Sequence, residues 1–137
     1  MAYTASGQPT AAIIDTHDAI VDYTLFWAPC SDNQEAHYLL AIINSRTLYE
    51  TVKPLMAKGQ FGARHLQKHL WKLSIPEYDA TNRFHQEIAR AGQQLQNLYK
   101  QHDNTVSETV ARRELRGWLA QSNEGKQVEK LVKRLLA

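Results

Sequence analysis

At 137 residues, 43% hydrophobic and 22% charged, the chain has the composition of one ordinary soluble domain, long enough to bury a core. The single cysteine, Cys30, excludes an internal disulfide, and no apolar run approaches the length needed to span a bilayer. The first residues, Met-Ala-Tyr-Thr-Ala-Ser-Gly, lack the basic start and apolar stretch of a secretory signal, so the expected setting is cytoplasmic. The net charge of +2 hides an asymmetry. Residues 1–50 carry one cation against six acids, residues 51–76 carry five cations and no acid, and residues 77–137 carry ten cations against eight acids. An acid-free basic stretch suits an acidic partner, although the same charges would also suit a solvated face.

In chain order, residues 3–9 are turn-forming and read as a connector. Residues 11–14 read as a short strand, ended by the polar Asp15-Thr16-His17-Asp18. Residues 19–28 are rich in aromatic and β-branched side chains and read as a second strand that Pro29 stops, placed to pair with the first as a hairpin. Ser31-Asp32-Asn33 then offers helix caps, with Glu35 in the first turn. Ala36, Leu39, Leu40 and Ile43 recur at helical spacing. Asn44-Ser45 can end this helix and cap another through Leu48 and Val52, which Pro54 kinks or ends.

The basic run from Lys53 to Pro76 follows, with Gly59-Gln60-Phe61-Gly62 at its middle. Arg64 to Trp71 can make a short helix that gathers His65, Lys68, His69 and Lys72, and Leu73-Ser74-Ile75 reads as a strand. From Thr81 or Asn82 onward, Phe84, Ile88, Ala91, Leu95 and Leu98 follow a 4-3-4-3 spacing, an amphipathic or coiled-coil-like stripe. Residues 106–119 and 128–136 are two more helical stretches, separated by a turn at 121–125. The expected fold class is α+β: a small β-containing N-terminal part with short helices (residues 1–79), then a helical C-terminal tail (residues 80–137), within one compact domain.

Catalytic motifs are not evident. Gly59-Gln60-Phe61-Gly62 has neither the spacing nor the context of a dinucleotide-binding turn, and Gly125-Lys126 lacks the upstream glycine of a P-loop. Glu124-Gly125-Lys126 has no Pro-Asp dipeptide to complete a nuclease motif. His65 and His69 could share a metal on one helix face, but the lysines around them favour phosphate or backbone contacts. No metal, cofactor or catalytic residue is therefore expected. Cys30 reads as a buried, inert thiol, and Trp27, Trp71 and Trp118 read as core. Phe61 stands between two glycines, where it can stack on a base or fold back to pin the loop. Gln60 and Arg64 carry the chemistry for base-edge or phosphate contacts.

The order of these pieces resembles a known family. Ala36-His37-Tyr38-Leu39-Leu40-Ala41-Ile42-Ile43-Asn44-Ser45 resembles the "YLLAILNS" helix of target-recognition domains in restriction-modification enzymes. The Lys58-to-Arg64 loop and Leu73-Ser74-Ile75-Pro76 look like the glycine-containing segment and the "L-x-IP" strand that follow it there. The resemblance covers roughly residues 3–100, upstream strands included. It is to the C-terminal parts of type IIG-like N6-adenine DNA methyltransferases and, more distantly, to type I specificity subunits. The resemblance implies a non-catalytic module that binds double-stranded DNA, with the methyltransferase domain absent from this sequence. It implies Lys58, Arg64, His65, Lys68 and Lys72 as backbone contacts, with Gln60, Phe61 and Arg64 as base readers. A different expectation rests on the 4-3-4-3 stripe: a helical tail that forms a homodimer or docks on a methyltransferase subunit.

Overall fold

The computed structural model describes the chain except for residues 5–6, 17, 60–61, 65–68, 71 and 102–107. At 57–59, 62–64, 108–109, 111–112 and 115 it describes the backbone only. The fold is α+β. Among the described residues five strands, β1 (Ala2–Thr4), β2 (Ala11–Ala12), β3 (Leu25–Trp27), β4 (Ala57–Gly59) and β5 (Gly62–Arg64), accompany α1 (Asn33–Asn44), α2 (Arg46–Val52), α3 (Arg83–Gln101), α4 (Glu108–Gln121) and α5 (Asn123–Leu135).

The N-terminal sheet differs from the hairpin that the composition suggests. β1, in the stretch that reads as a connector, is the central strand, and β2 and β3 pair antiparallel on either side of it. The reversal from β1 to β2 uses Gly7 at a φ of 70°, a left-handed conformation that glycine adopts without cost. Tyr3 is buried and stacks on Phe26 with centroids 5.9 Å apart, which gives the small sheet its apolar face. The strong-looking strand at 19–28 is extended only at its end. Ile20 and Tyr23 are almost fully exposed, and Trp27 is 68% exposed instead of lying in the core.

Asn44 ties this sheet to the helices. Its side-chain amide accepts from Ala11 N–H at 2.9 Å and donates to Ala11 C=O at 3.0 Å, so both groups on one rung of β2 are satisfied by the last turn of α1. Helix α1 starts where its caps indicate, with Asp32 accepting from Glu35 N–H at 2.8 Å. Tyr38, Leu40, Ala41, Ile42 and Ile43 are all buried, as expected of a helix enclosed on nearly every side.

Helix α3 lies across α1. Its Ile88, Ala91 and Leu95 are buried against α1 and α5, so the middle of the 4-3-4-3 stripe is covered within the chain itself, while Phe84 and Leu98 are half-buried. At the crossing, a Cβ built on Gly92 would come 2.0 Å from the carbonyl oxygen of His37, so only glycine allows this approach. Asn82 caps α3, accepting from Phe84 N–H at 2.9 Å. The break between α4 and α5 is shorter than the turn expected at 121–125. Ser122 alone interrupts them, accepting from Gly125 N–H at 3.0 Å.

Helix α2 is capped partly from afar. Ser45 Oγ accepts from Leu48 N–H at 3.0 Å, while the Glu129 carboxylate on α5 accepts from the Arg46 and Thr47 amides at 2.6 and 3.0 Å and from the Thr47 hydroxyl at 2.8 Å. An anion at the positive end of a helix dipole holds α2, and the basic run after it, against the C-terminal helix. Trp118 is 36% exposed. No helix among the described residues is long and apolar enough to cross a membrane.

Two substitutions on glycine should act in opposite directions. Gly92→Ala forces α1 and α3 apart and should lower stability by about 1–3 kcal/mol, whereas Gly117→Ala, with open space around its Cβ, should raise it by about 0.5–1 kcal/mol. Glu129→Ala should cost about 1–2 kcal/mol through the lost cap. Urea midpoints at constant m-value measure all three.

Candidate nucleic-acid interface

The basic run is held at both ends. On the entry side, α2 passes into a single 3-10 turn, Lys53–Leu55, in which Pro54 ends the α-helix. Met56 then enters the core at 3% exposure, and on the far side Leu70 re-enters it at 0%. Between these anchors β4 and β5 form an antiparallel hairpin with Ala57 opposite Arg64, Lys58 opposite Ala63 and Gly59 opposite Gly62. The paired glycines close the ladder directly before Gln60-Phe61.

The exit side is fixed by an aromatic cluster. Tyr38 from α1 donates its hydroxyl to Pro76 C=O at 3.0 Å. Its ring lies 5.5 Å from Tyr78 and 5.1 Å from His85, centroid to centroid. His85 is buried and accepts from Asp79 N–H through Nδ1 at 3.1 Å. The Tyr78 hydroxyl donates to the Gln34 amide oxygen. Leu73-Ser74-Ile75 is therefore not a strand. It is an irregular connector whose amides go to turns, Leu73 N–H donating to Leu70 C=O at 3.3 Å and Ile75 N–H to Leu73 C=O at 2.8 Å.

The residues expected to touch DNA fall unevenly on this frame. Lys58 is on β4 and Arg64 ends β5, on adjacent rungs of the hairpin, so Arg64 opens no helix. Gln60, Phe61, His65 and Lys68 lie outside the described residues, as does Trp71. Lys72 is exposed beyond Leu70. Lys53 is partly engaged, 3.8 Å from the Glu50 carboxylate and 5.7 Å from the Tyr49 ring centroid. Among the described residues no group of His, Cys, Asp and Glu converges as a metal site.

A second basic surface is one that the reading of the sequence passed over. Lys126, Lys130, Lys133 and Arg134 are exposed along α5, opposite the buried Val128, Leu131 and Val132. Their spacing is visible in the sequence as the complement of that apolar stripe. Glu129, the nearest acid on the same helix, is spent on the α2 amides, and the Arg134 guanidinium lies 4.5 Å over the Phe84 ring. Elsewhere, burial pushes the partly buried Cys30 thiol up, which makes it a poor nucleophile. Burial likewise pulls the His37 imidazole down, with Lys100 adding to the effect.

No protein-family model, curated protein or solved structure matches this chain.

The Tyr38 tether has a pH signature. Burial pushes its phenol from the ordinary 10.0 up to about 12. The folded chain thus favours the neutral phenol, and the stabilisation is complete below pH 10 and lost as pH rises towards 12. The stability of the wild-type chain should fall across that window by at most about 1.4 kcal/mol per pH unit from this group. Tyr38→Phe should be about 1 kcal/mol less stable at pH 8, having lost the Pro76 hydrogen bond, and should show a shallower alkaline slope. Urea midpoints at stepped pH report both.

Proposed function

We propose that this chain is a DNA-binding, target-recognition module of the restriction-modification kind, which performs no catalytic step itself and works in the cytoplasm on double-stranded DNA. The observation that carries the reading is the acid-free run from Lys53 to Pro76, whose β-hairpin leaves and rejoins the core at Met56 and Leu70. A two-stranded ribbon is narrow enough to enter a major groove, and glycine at the end of each strand lets backbone come close to a ligand. In this reading Lys58, His65, Lys68 and Lys72 bind phosphates and set the register of the protein on the duplex. Gln60 and Phe61, between the paired glycines, and Arg64, at the far end of β5, meet the bases.

The resemblance of the 36–45 helix and the 73–76 segment to target-recognition domains supports the same assignment. The other reading, a tail that dimerises or docks on a methyltransferase subunit, draws less support from the 4-3-4-3 stripe, because α1 and α5 already cover its central Ile88, Ala91 and Leu95.

Fluorescence anisotropy with a labelled duplex tests the proposal. Binding at low salt should weaken linearly in log–log form as salt rises, with a slope of about −0.9 for each phosphate contacted. Lys58→Ala with Lys72→Ala should flatten that slope by about 2 and weaken all sequences alike. Gln60→Ala should relax sequence preference instead. Absence of binding at low salt, or a salt-independent affinity, would sink the reading. Loss of binding in Lys126→Ala/Lys130→Ala with the hairpin variant unaffected would move the interface to α5.

A further inference from the structure

Residues 11–35 carry Asp15, Asp18, Asp22, Asp32 and Glu35 and no lysine or arginine. The same stretch holds the most exposed large apolar side chains among the described residues, Ile20 at 97%, Tyr23 at 92% and Trp27 at 68%. Val21 and Trp27 border one cleft of about 460 Å³, together with Ile14, Pro29 and Asp32. The 14–21 segment and β3 therefore present one apolar face, and an exposed apolar face rimmed by polar groups marks a site of association. The Met1 ammonium, which also borders the cleft, donates to Ala28 C=O at 3.1 Å.

The acids select what covers this face. Among the described residues none of Asp15, Asp18, Asp22 and Asp32 lies within ion-pair distance of a cation. Two copies meeting through the same face would set these carboxylates against one another, which is costly at an interface. A cationic cover suits it, and α5 of another copy has that chemistry. Lys126, Lys130, Lys133 and Arg134 are exposed along one side of α5, a stripe of about 12 Å at 1.5 Å per residue. Glu87 borders a groove with Lys126 and Lys130 without reaching ion-pair distance of either, and Glu129 is bonded to the α2 amides. Lysine and arginine stems lie well on apolar surface, and their charged heads are drawn to aromatic faces such as those of Tyr23 and Trp27.

We infer that the chain associates head to tail, the acidic, apolar 14–27 face of one copy being covered by the cationic stripe of α5 from the next. The two faces differ, so the contact is heterologous and leaves one face of each kind free at the ends of the assembly. The inference stands apart from DNA binding and from pairing of the tail with itself, since it uses neither the hairpin nor the 4-3-4-3 stripe.

Sedimentation velocity of the full chain, without DNA, should show association that grows with concentration. Its dissociation constant should rise at least about tenfold between about 0.01 and about 0.3 M salt, as screening shortens the reach of the charges. Ile20→Ser/Tyr23→Ser and Lys126→Glu/Lys130→Glu should each sediment as monomers. Mixed in equal amounts, the two variants should form a dimer that grows no further, because only one intact face of each kind remains to pair. If either variant does not fold, carbodiimide coupling in a mixture of isotopically labelled and unlabelled wild-type chains decides the matter: Asp18 or Asp22 of one chain should couple to Lys126 or Lys130 of the other. The inference is overturned if the wild-type chain stays monomeric at low salt, if either variant associates as the wild type does, if the mixture gives no dimer, or if the cross-links between chains map elsewhere.

Discussion

The crossing of α1 and α3 is the constraint on which the rest of the fold depends. Gly92 brings the α3 backbone against the His37 carbonyl, closer than any Cβ would permit. That approach seals Ile88, Ala91 and Leu95 against α1 and leaves Val128, Leu131 and Val132 of α5 to close the same core. Close packing at this density transmits position well, because interiors yield little to displacement. The elements attached to α1 inherit its placement. The sheet hangs from Asn44 at its C-terminal end, and the 72–82 connector hangs from Tyr38 and Gln34.

The basic run is positioned by polar contacts of unusual reach. Glu129 caps a helix more than eighty positions earlier in the chain, and Tyr38 holds Pro76 from the opposite side. Both contacts join the run to elements that the hydrophobic core fixes already. A hairpin mounted between such supports loses less conformational freedom on meeting a ligand than a free loop does, which is how preorganisation raises affinity.

The helical part of the fold was largely legible in the sequence. Its signals are local: Asp32 and Ser45 as caps, Pro54 as a stop, and the 4-3-4-3 stripe of α3. The strands were not, for a physical reason. β1 consists of Ala2, Tyr3 and Thr4, too short to show alternation, and it is a strand because Ala11 and Phe26 lie on either side of it. The aromatic, β-branched segment at 19–24 has strand composition but no partner for its edges among the described residues, and sheet propensity without pairing is weak. Trp27 misled in the same way, since its place in an apolar pattern does not reveal which face of an edge strand meets the core. In the candidate interface, the charge and the glycines could be read directly. The hairpin pairing, the core anchors and the part played by Glu129 depend on residues too distant in sequence for any local pattern to show.

Charge placement separates a working cationic surface from a decorative one. A cation that already has a partner gains little from a phosphate, whereas one without a partner brings nearly its full electrostatic contribution. Arg46 and Lys53 share Glu50 on the surface, and exposed pairs of this kind are worth only about 0–1 kcal/mol, so they restrain neither cation strongly. Residues 51–76 contain no acid of their own, and the Glu129 carboxylate is bonded to the α2 amides. The same contact that stabilises the entry to the hairpin therefore engages the acid nearest the cations of α5. Stability and a cationic exterior are thus coupled through a single carboxylate.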